Sequence, residues 1–568
     1  MKFYVLSWKI PFICLIIIFV PFSSLLSQPN WTWAAAGGKG VNSYSVSQGT
    51  GIAIDQNDNT YVVGGMSSPA QIGNLVLNSY GFSDIFIAKY DSLGNPIWAK
   101  TAGGPNNDMA KSITLGSDGY IYVCGYFVGL AHFGNITISE PSNCYFVSKL
   151  DTNGNFIWVK YGANGSLAQS NFLEPTVTLT ADDSNHIYFS GFCKNNAELI
   201  DTVYTNSSNK TAFFIAQLDT SGHMNWTHFI RNRSYSFAGN LGVNLAIDSG
   251  ENLIYSAIRS CEDTVINGPS STTYYGNLIT GKLTSNGNVI WEKEFGDSTH
   301  FNWTGTPLGM TLDENENIYV NGFYVKQFIL NPSTNYSNGG FYAKFSPIDG
   351  SVLASQRYTA TNGTTPAFTG CDYDLNGNIL HSGRYSGTID FGGITIQPIV
   401  PQNVSDCFVA SYDTSGNVNY VVCYGNNQND VIVGSTINNH MYAVTGYFGD
   451  SISFGPHHLV ADNLTTNSFF MFIAVERNNE PTGGITIPNT DVFFKFYPNP
   501  AVTYIAVETK NPISDYEIDI FSTELKYAKH IEEVNSNKID VSDLPPGTYY
   551  ISLQDTHVQV IKKFVKLN

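Results

Sequence analysis

Ile85-Phe-Ile-Ala-Lys-Tyr-Asp-Ser-Leu-Gly-Asn-Pro-Ile-Trp98 reads as two strands with a tight turn between them, and the chain repeats it. Its first half is β-branched and aromatic. Asp91 to Gly94 then supply a side chain that caps its own backbone and a residue that accepts positive φ. The same grammar returns in Tyr145-Phe-Val-Ser-Lys-Leu-Asp151, Phe213-Phe-Ile-Ala-Gln-Leu-Asp219, Phe341-Tyr-Ala-Lys-Phe345 and Cys407-Phe-Val-Ala-Ser-Tyr-Asp413. A tryptophan marks the returning strand at Trp33, Trp98, Trp158, Trp226 and Trp291, with Leu353 and Tyr420 in the equivalent places; the spacing stays between 60 and 68 residues.

Upstream of each such hairpin lie two more strands, as in Ile52-Ala-Ile-Asp55 and Tyr61-Val-Val-Gly-Gly65. Four short antiparallel strands per unit make a propeller blade. Phe-Gly-x-x-x-Ile segments such as His132-Phe-Gly-Asn-Ile-Thr-Ile138 and Asp390-Phe-Gly-Gly-Ile-Thr-Ile396 predict an extra hairpin between the second and third strands. The chain opens with a lone fourth strand, Trp31-Thr-Trp-Ala-Ala-Ala36, and its last unit stops after a third, Phe470-Met-Phe-Ile-Ala-Val-Glu476. A ring removes both exposed edges, so the expectation is an all-β seven-bladed propeller over residues 28–476, closed by its N-terminal strand. These repeats resemble the secreted bacterial β-propeller family with the pattern FVAKLD…G…W…GG…GIAVD…GNAYVTG. That resemblance implies export and fold, and it assigns no activity.

The ends of the chain carry addresses. Lys2 and Lys9 precede an apolar run from Ile10 to Phe22, which reads as a signal peptide over residues 1–27 and is too short to span a bilayer. Residues 477–491 form a linker, and a different grammar occupies 492–568. Its Tyr497-Pro498-Asn499-Pro500 opening, its Leu544-Pro545-x-Gly547-x-Tyr549 strand and its terminal Lys563-Phe564-x-Lys566 resemble the type A sorting domain of the type IX secretion system. The resemblance implies a small Ig-like β-sandwich, the type IX machinery as a partner, and a secreted or outer-membrane-surface destination after passage through the periplasm. A monomer is expected, with no transmembrane segment in the mature chain.

The formal net charge of −18, from 28 basic and 46 acidic residues, argues against nucleic acid as a partner. Cys124, Cys144, Cys193, Cys261, Cys371, Cys407 and Cys423 are irregularly spaced and read as scattered thiols; a pair among Cys371, Cys407 and Cys423 is left open. Asp91, Asp151, Asp219 and Asp413 have the oxygen chemistry of calcium ligands, but lack the alternating acidic pattern and distal Glu of a calcium loop. Asx turns explain them without metal, and neither metal nor cofactor is expected. The Asp-box of sialidases and the quinoprotein repeat do not fit the spacing, and no HExxH, GxSxG or P-loop motif occurs. Short turns trim one face of the propeller, while the loops between blades are longer and varied. The candidate ligand-binding residues lie there: Arg231, Arg233, Tyr235, His300, Trp303, Arg357 and Tyr358. The reading is a non-catalytic binder of a glycan or protein; the alternative is a polysaccharide hydrolase or lyase with acidic residues at the channel.

Overall fold

The computed structural model describes residues 29–37, 47–163, 177–232, 243–260, 276–295, 303–326, 338–361, 366–461, 469–477 and 494–566, with short breaks inside several spans. The signal peptide, linker residues 478–491, Cys261, Arg233, Tyr235, His300 and the Pro498–Pro500 motif lie outside them, while Arg477, expected in the linker, ends a strand of the repeat region.

The turns form because their aspartates satisfy the backbone locally. Asp91 accepts the N–H groups of Leu93 (2.9 Å) and Asn95 (2.8 Å), and its second oxygen takes the Asn95 amide (2.9 Å). Asp151, Asp219 and Asp413 cap Asn155, His223 and Asn417 in the same way, at 2.8, 3.0 and 2.8 Å. A second set between first and second strands (Asp55, Asp248, Asp313 and Asp374) caps Asn59, Asn252, Asn317 and Asn378 at 2.9, 2.8, 2.9 and 2.7 Å. The repeated lysine of the third strand ends here too, with Lys282 Nζ 2.6 Å from Asp248 and Lys344 Nζ 3.5 Å from Asp313.

Between these turns the strands assemble into four-stranded antiparallel sheets. Sheet 1 comprises Ser47–Ile54, Thr60–Met66, Asp84–Tyr90 and Pro96–Gly103, paired in chain order. Sheets 2 to 6 repeat the plan over residues 109–163, 178–231, 244–295, 303–358 and 367–424. Sheet 7 takes Val431–Ile437, Met441–Phe448 and Phe470–Arg477, and its fourth strand is Trp31–Gly37, in register from Trp33↔Val475 to Gly37↔Met471. The whole is a propeller-like β fold.

The extra hairpins form as expected. Ala70–Ile72 with Leu75–Leu77 joins the edge of Trp31–Gly37, and the long hairpin Ile121–Phe133/Ile136–Leu150 joins the end of Pro96–Gly103. Each covers part of an otherwise open edge strand.

The tryptophans are joints between sheets. Trp98, Trp158, Trp226 and Trp291 donate their indole N–H to a turn carbonyl of the following sheet: Thr152, Thr220, Ser285 and Pro347, at 3.0, 3.1, 2.9 and 3.2 Å. Trp33 stacks on Tyr90 of sheet 1 with ring centroids 5.8 Å apart. The fifth repeat needs a correction. Ala354, not Leu353, stands opposite Lys344, as Trp98 stands opposite Lys89. The turn Ser346–Ser351 is one residue longer than its counterparts, so counting from the tryptophan spacing lands one position early. Tyr420 opposes Ser411 as expected.

The cysteines Cys124, Cys144, Cys193, Cys371, Cys407 and Cys423 are free, and all but Cys423 are buried. In the C-terminal part Phe494–Tyr497, Tyr504–Thr509 and Lys538–Asp540 form one sheet; Glu517–Ser522, Tyr527–Ile531, Gly547–Gln554 and Gln559–Lys566 form another. One buried cluster draws on both, including Ile505, Val507, Ile518, Ile539 and Ile551. The motif residues meet across the second sheet, where Gly547 pairs with Lys566 and Tyr549 with Phe564, and the Tyr549 hydroxyl donates to Pro545 O (2.9 Å).

Candidate functional site

Of the residues named for the inter-sheet loops, Arg231 is exposed at the end of its strand, Arg357 is half-buried, and the backbone of Trp303 begins the first strand of sheet 5. Tyr358 corrects the reading. It is 2% exposed and packs against Phe368 and Phe391, with ring centroids at 5.1 and 5.2 Å, so it belongs to the core of sheet 6. An aromatic at a strand end reads as a loop residue only while the neighbouring hairpin is unknown.

The best-defined surface on the same face lies where sheet 1 passes to sheet 2. Tyr80 and Phe82 are 53% and 74% exposed, on a loop that a buried carboxylate holds in place. Asp84 Oδ2 accepts Ser79 Oγ (2.6 Å), Tyr80 N (2.6 Å) and Gly81 N (3.1 Å). The loop is sewn to the inter-sheet turn as well, since Asp108 N donates to Ser83 O at 2.7 Å. A Cβ on Gly81 would stand 2.3 Å from Gly104 O, so only glycine lets the two backbones approach this closely. Tyr80 meets His132 at 5.9 Å between ring centroids, His132 Nδ1 is 3.0 Å from Thr137 Oγ1, and Asn106 Nδ2 donates to Val128 O (3.0 Å). Exposed aromatic rings fixed by buried hydrogen bonds, with amide and imidazole groups beside them, can stack on a ligand and hydrogen-bond its edges. Pattern reading missed this surface because Tyr80 and Phe82 fall in the variable stretch between second and third strands. Their signal was two aromatics just before the Asp of Ser-Asp-Ile-Phe86.

The opposite, short-turn face carries a cleft of about 270 Å³, open mouth included, between sheets 5 and 6. Tyr319, Lys344, Ala354, Thr414 and Gly416 line it, so it is the space that a docking indole fills elsewhere. Lys344 Nζ reaches Thr414 O (3.4 Å), the carbonyl that the missing N–H would have met. His381 at its floor stacks on Tyr342, with centroids 5.4 Å apart, and burial pushes its pKa down to about 3, so the ring is neutral. Asn321 Nδ2 donates to both Gly370 O (2.5 Å) and His381 Nδ1 (2.9 Å), which leaves the imidazole proton on Nε2.

Glu292 and Glu294, two acidic residues on one strand face, are both claimed by Arg259, at 2.9 and 2.7 Å. Glu292 also accepts the Tyr255 hydroxyl (2.6 Å), and Glu294 the Asn277 amide (2.7 Å). This is an ion-paired brace between strands. His457 and His458 face different partners, Trp31 O (2.9 Å) and Ser453 Oγ (2.8 Å).

Residues 495–567 match the family described as "Secretion system C-terminal sorting domain". An uncharacterized WD repeat-containing protein of Acanthamoeba polyphaga mimivirus is 21% identical over 514 residues, covering 74% of this chain and 36% of its own length; the chain thus spans about a third of that relative. Among solved structures, a protein of unknown function from Dyadobacter fermentans is similar at a TM-score of 0.35 and 8% identity, covering 79% of this chain and 99% of that one. A puromycin hydrolase mutant is similar at 0.35 and 8%, covering 88% and 61%. Among the described residues no helix is long and apolar enough to cross a membrane. With its three motifs in order at the C-terminal end, the chain is a substrate of the type IX secretion system, destined for secretion or for attachment at the cell surface.

Proposed function

We propose that the protein is a non-catalytic, surface-displayed or secreted binder whose seven sheets close into one ring, and that it engages a glycan or protein ligand through its inter-sheet-loop face. The observation that carries the binding reading is the anchored pair Tyr80 and Phe82, held out to solvent by a fully buried carboxylate. Closure is supported by bonds between the two ends of the repeat region. Ser47 N donates to Phe469 O (2.9 Å), Met471 N to Ser47 Oγ (3.1 Å), and Arg477 pairs with Asp58 (2.9 Å). Trp33 also docks on the third–fourth turn of sheet 1, where a Cβ on Gly94 would lie 2.6 Å from the indole. Residues 28–476 form this ring, and 492–568 form an Ig-like sandwich that addresses it. Among the described residues, Arg231 and Arg357 extend the binding face around the ring.

The test is a glycan and surface-protein array probed with the mature chain and with the Tyr80→Ala/Phe82→Ala variant. The expected outcome is binding that falls tenfold or more in the variant, about 1.4 kcal/mol or more, at unchanged melting temperature. Equal binding by both proteins would place the ligand elsewhere.

A further inference from the structure

Asp84 and Asp108 converge on Gly103, and the arrangement recurs where sheet 6 passes to sheet 7. Asp406 stands for Asp84, Asp430 for Asp108 and Gly425 for Gly103. In both places the second aspartate donates its N–H to the serine before the first, Asp108 to Ser83 and Asp430 to Ser405, each at 2.7 Å. Its own carboxylate takes one backbone donor on each oxygen: Asp108 accepts Gly104 N (2.6 Å) on Oδ2 and Val128 N (2.8 Å) on Oδ1, and Asp430 accepts Asn426 N (2.9 Å) on Oδ2 and Gly449 N (3.2 Å) on Oδ1. The first aspartate uses only Oδ2, toward Tyr80 N (2.6 Å) in one copy and Ile399 N (2.7 Å) in the other.

Its Oδ1 makes no well-formed hydrogen bond in either copy, although all four aspartates are 0% exposed; in the first copy the Gly104 N–H, bonded to Asp108 Oδ2, also lies near the Asp84 carboxylate and acts against the larger effect of burial. That orphan oxygen and the partner's Oδ2 stand against the same glycine, close enough for each charge to act on the other. A Cβ on Gly103 would stand 2.3 Å from Asp84 Oδ1 and 2.7 Å from Asp108 Oδ2; on Gly425 the distances are 2.3 Å to Asp406 Oδ1 and 3.0 Å to Asp430 Oδ2. Gly103 and Gly425 also sit at φ of 134° and 150°.

We propose that each pair holds one shared proton, bonded to Asp84 Oδ1 and donated to Asp108 Oδ2 (Asp406 Oδ1 to Asp430 Oδ2 in the second copy), and that losing the first proton to solvent base loosens the Tyr80–Phe82 loop. The loop's role in binding rests on the reading above; the proton does not. Two buried carboxylates this close are strongly disfavoured when both are ionised, and one proton removes the repulsion and supplies the missing hydrogen bond. Burial drives Asp84 up and Asp108 up to about 7, with the Asp84 charge adding to the latter. In the second copy burial lifts Asp406 to about 6 and Asp430 to about 8. The proton belongs to the pair, so each pair titrates as a unit.

Other ionisable groups stand on the packed elements. Around the first pair these are Tyr80 and His132, with Lys89 held at Asp55 (3.8 Å). Around the second they are Asp450, Cys407, Cys423, Tyr385 and Tyr447, the last also under the Arg384 charge. Asp450 adds to the pressure to stay protonated.

The test is amide exchange of residues 79–84 in the full-length chain, read as protection factors at about pH 5 and about pH 9, beside the infrared signature of a protonated carboxyl. Protection is expected to fall tenfold or more on going alkaline, and the carboxyl signal to persist at a pH where ordinary carboxylates are ionised. Asp84→Asn can place an N–H where the proton was, so it should keep protection at both pH values and lose that pair's infrared signal. Asp108→Asn must turn its amide hydrogens against either the Gly104 or the Val128 N–H group, and should lose protection at both pH values. Equal wild-type protection at the two pH values overturns the link to the loop. An absent carboxyl signal, or Asp84→Asn behaving like Asp108→Asn, overturns the shared proton. None of these readouts uses a ligand, so a failed array and a failed proton are told apart.

Discussion

Gly154 shows how one residue position serves a joint between two sheets. Its φ is 79°, and a Cβ there would stand 2.8 Å from the Trp98 ring. Gly154→Ala therefore meets both a left-handed backbone and a docked indole, and is expected to cost about 1–3 kcal/mol in denaturant unfolding. The residue scale also sets a pH dependence. Burial raises Asp108 to about 7, Asp430 to about 8, Asp372 to about 6 and Glu476 to about 7. All four lie above the unfolded values, so these four groups bind more protons in the folded chain than in the unfolded one from about pH 4 to about pH 8, and the neutral His381 opposes them only below its unfolded value of about 6.5. These groups stabilise the fold at the acid end, and their contribution is lost as pH rises through that window. Calorimetry should give a higher melting temperature at about pH 5.5 than at about pH 8.5, with a flatter profile in Asp406→Asn. The turn aspartates were legible in the sequence because cap and capped residue sit within five positions. Asp84 and Asp108 were not, since their partnership is made by burial and by a contact across two sheets.

At the scale of the element, hairpins and blade strands follow from alternation and turn chemistry, and the register of the fifth repeat does not. One extra residue in Ser346–Ser351 moves Ala354 into the tryptophan position, and Tyr342 leans into the vacated space, its hydroxyl 2.4 Å from where a Gly416 Cβ would be. The equivalent third-strand residues are Ile87 and Val147. Restoring the joint needs both changes, so Ala354→Trp/Tyr342→Val is expected to stabilise by about 0.5–2 kcal/mol as a filled cleft. Ala354→Trp alone is expected to destabilise by about 1–3 kcal/mol through overpacking against Tyr342. Thermal melts of the two variants decide it. The exposed aromatics were hidden at this scale, because variable connections carry no period and only the hydrogen bonds to Asp84 show that their loop is built rather than slack.

At the scale of the molecule, the count of strands at the two ends pointed to the partner of Trp31–Gly37 before any contact was known. The sorting motifs likewise declared the route out of the cell. The ligand-facing surface was legible only as a face, since its residues come from separate sheets and depend on how neighbouring loops settle. The proposed ring supports the binding surface, because the Tyr80 loop is fixed between sheets 1 and 2 and sheet 1 packs against sheet 7. Trp31 and Trp33 are 2% and 6% exposed, and their strand is the only one paired to the outer side of Phe470–Arg477 among the described residues. The direct test is amide exchange and limited proteolysis of the mature chain with residues 28–37 deleted. Ring closure predicts that residues 431–477 lose protection and are cleaved while sheets 3 to 5 keep theirs, with added peptide 28–37 restoring the loss. Unchanged protection of 431–477 and an unchanged melting temperature in the deletion would contradict it.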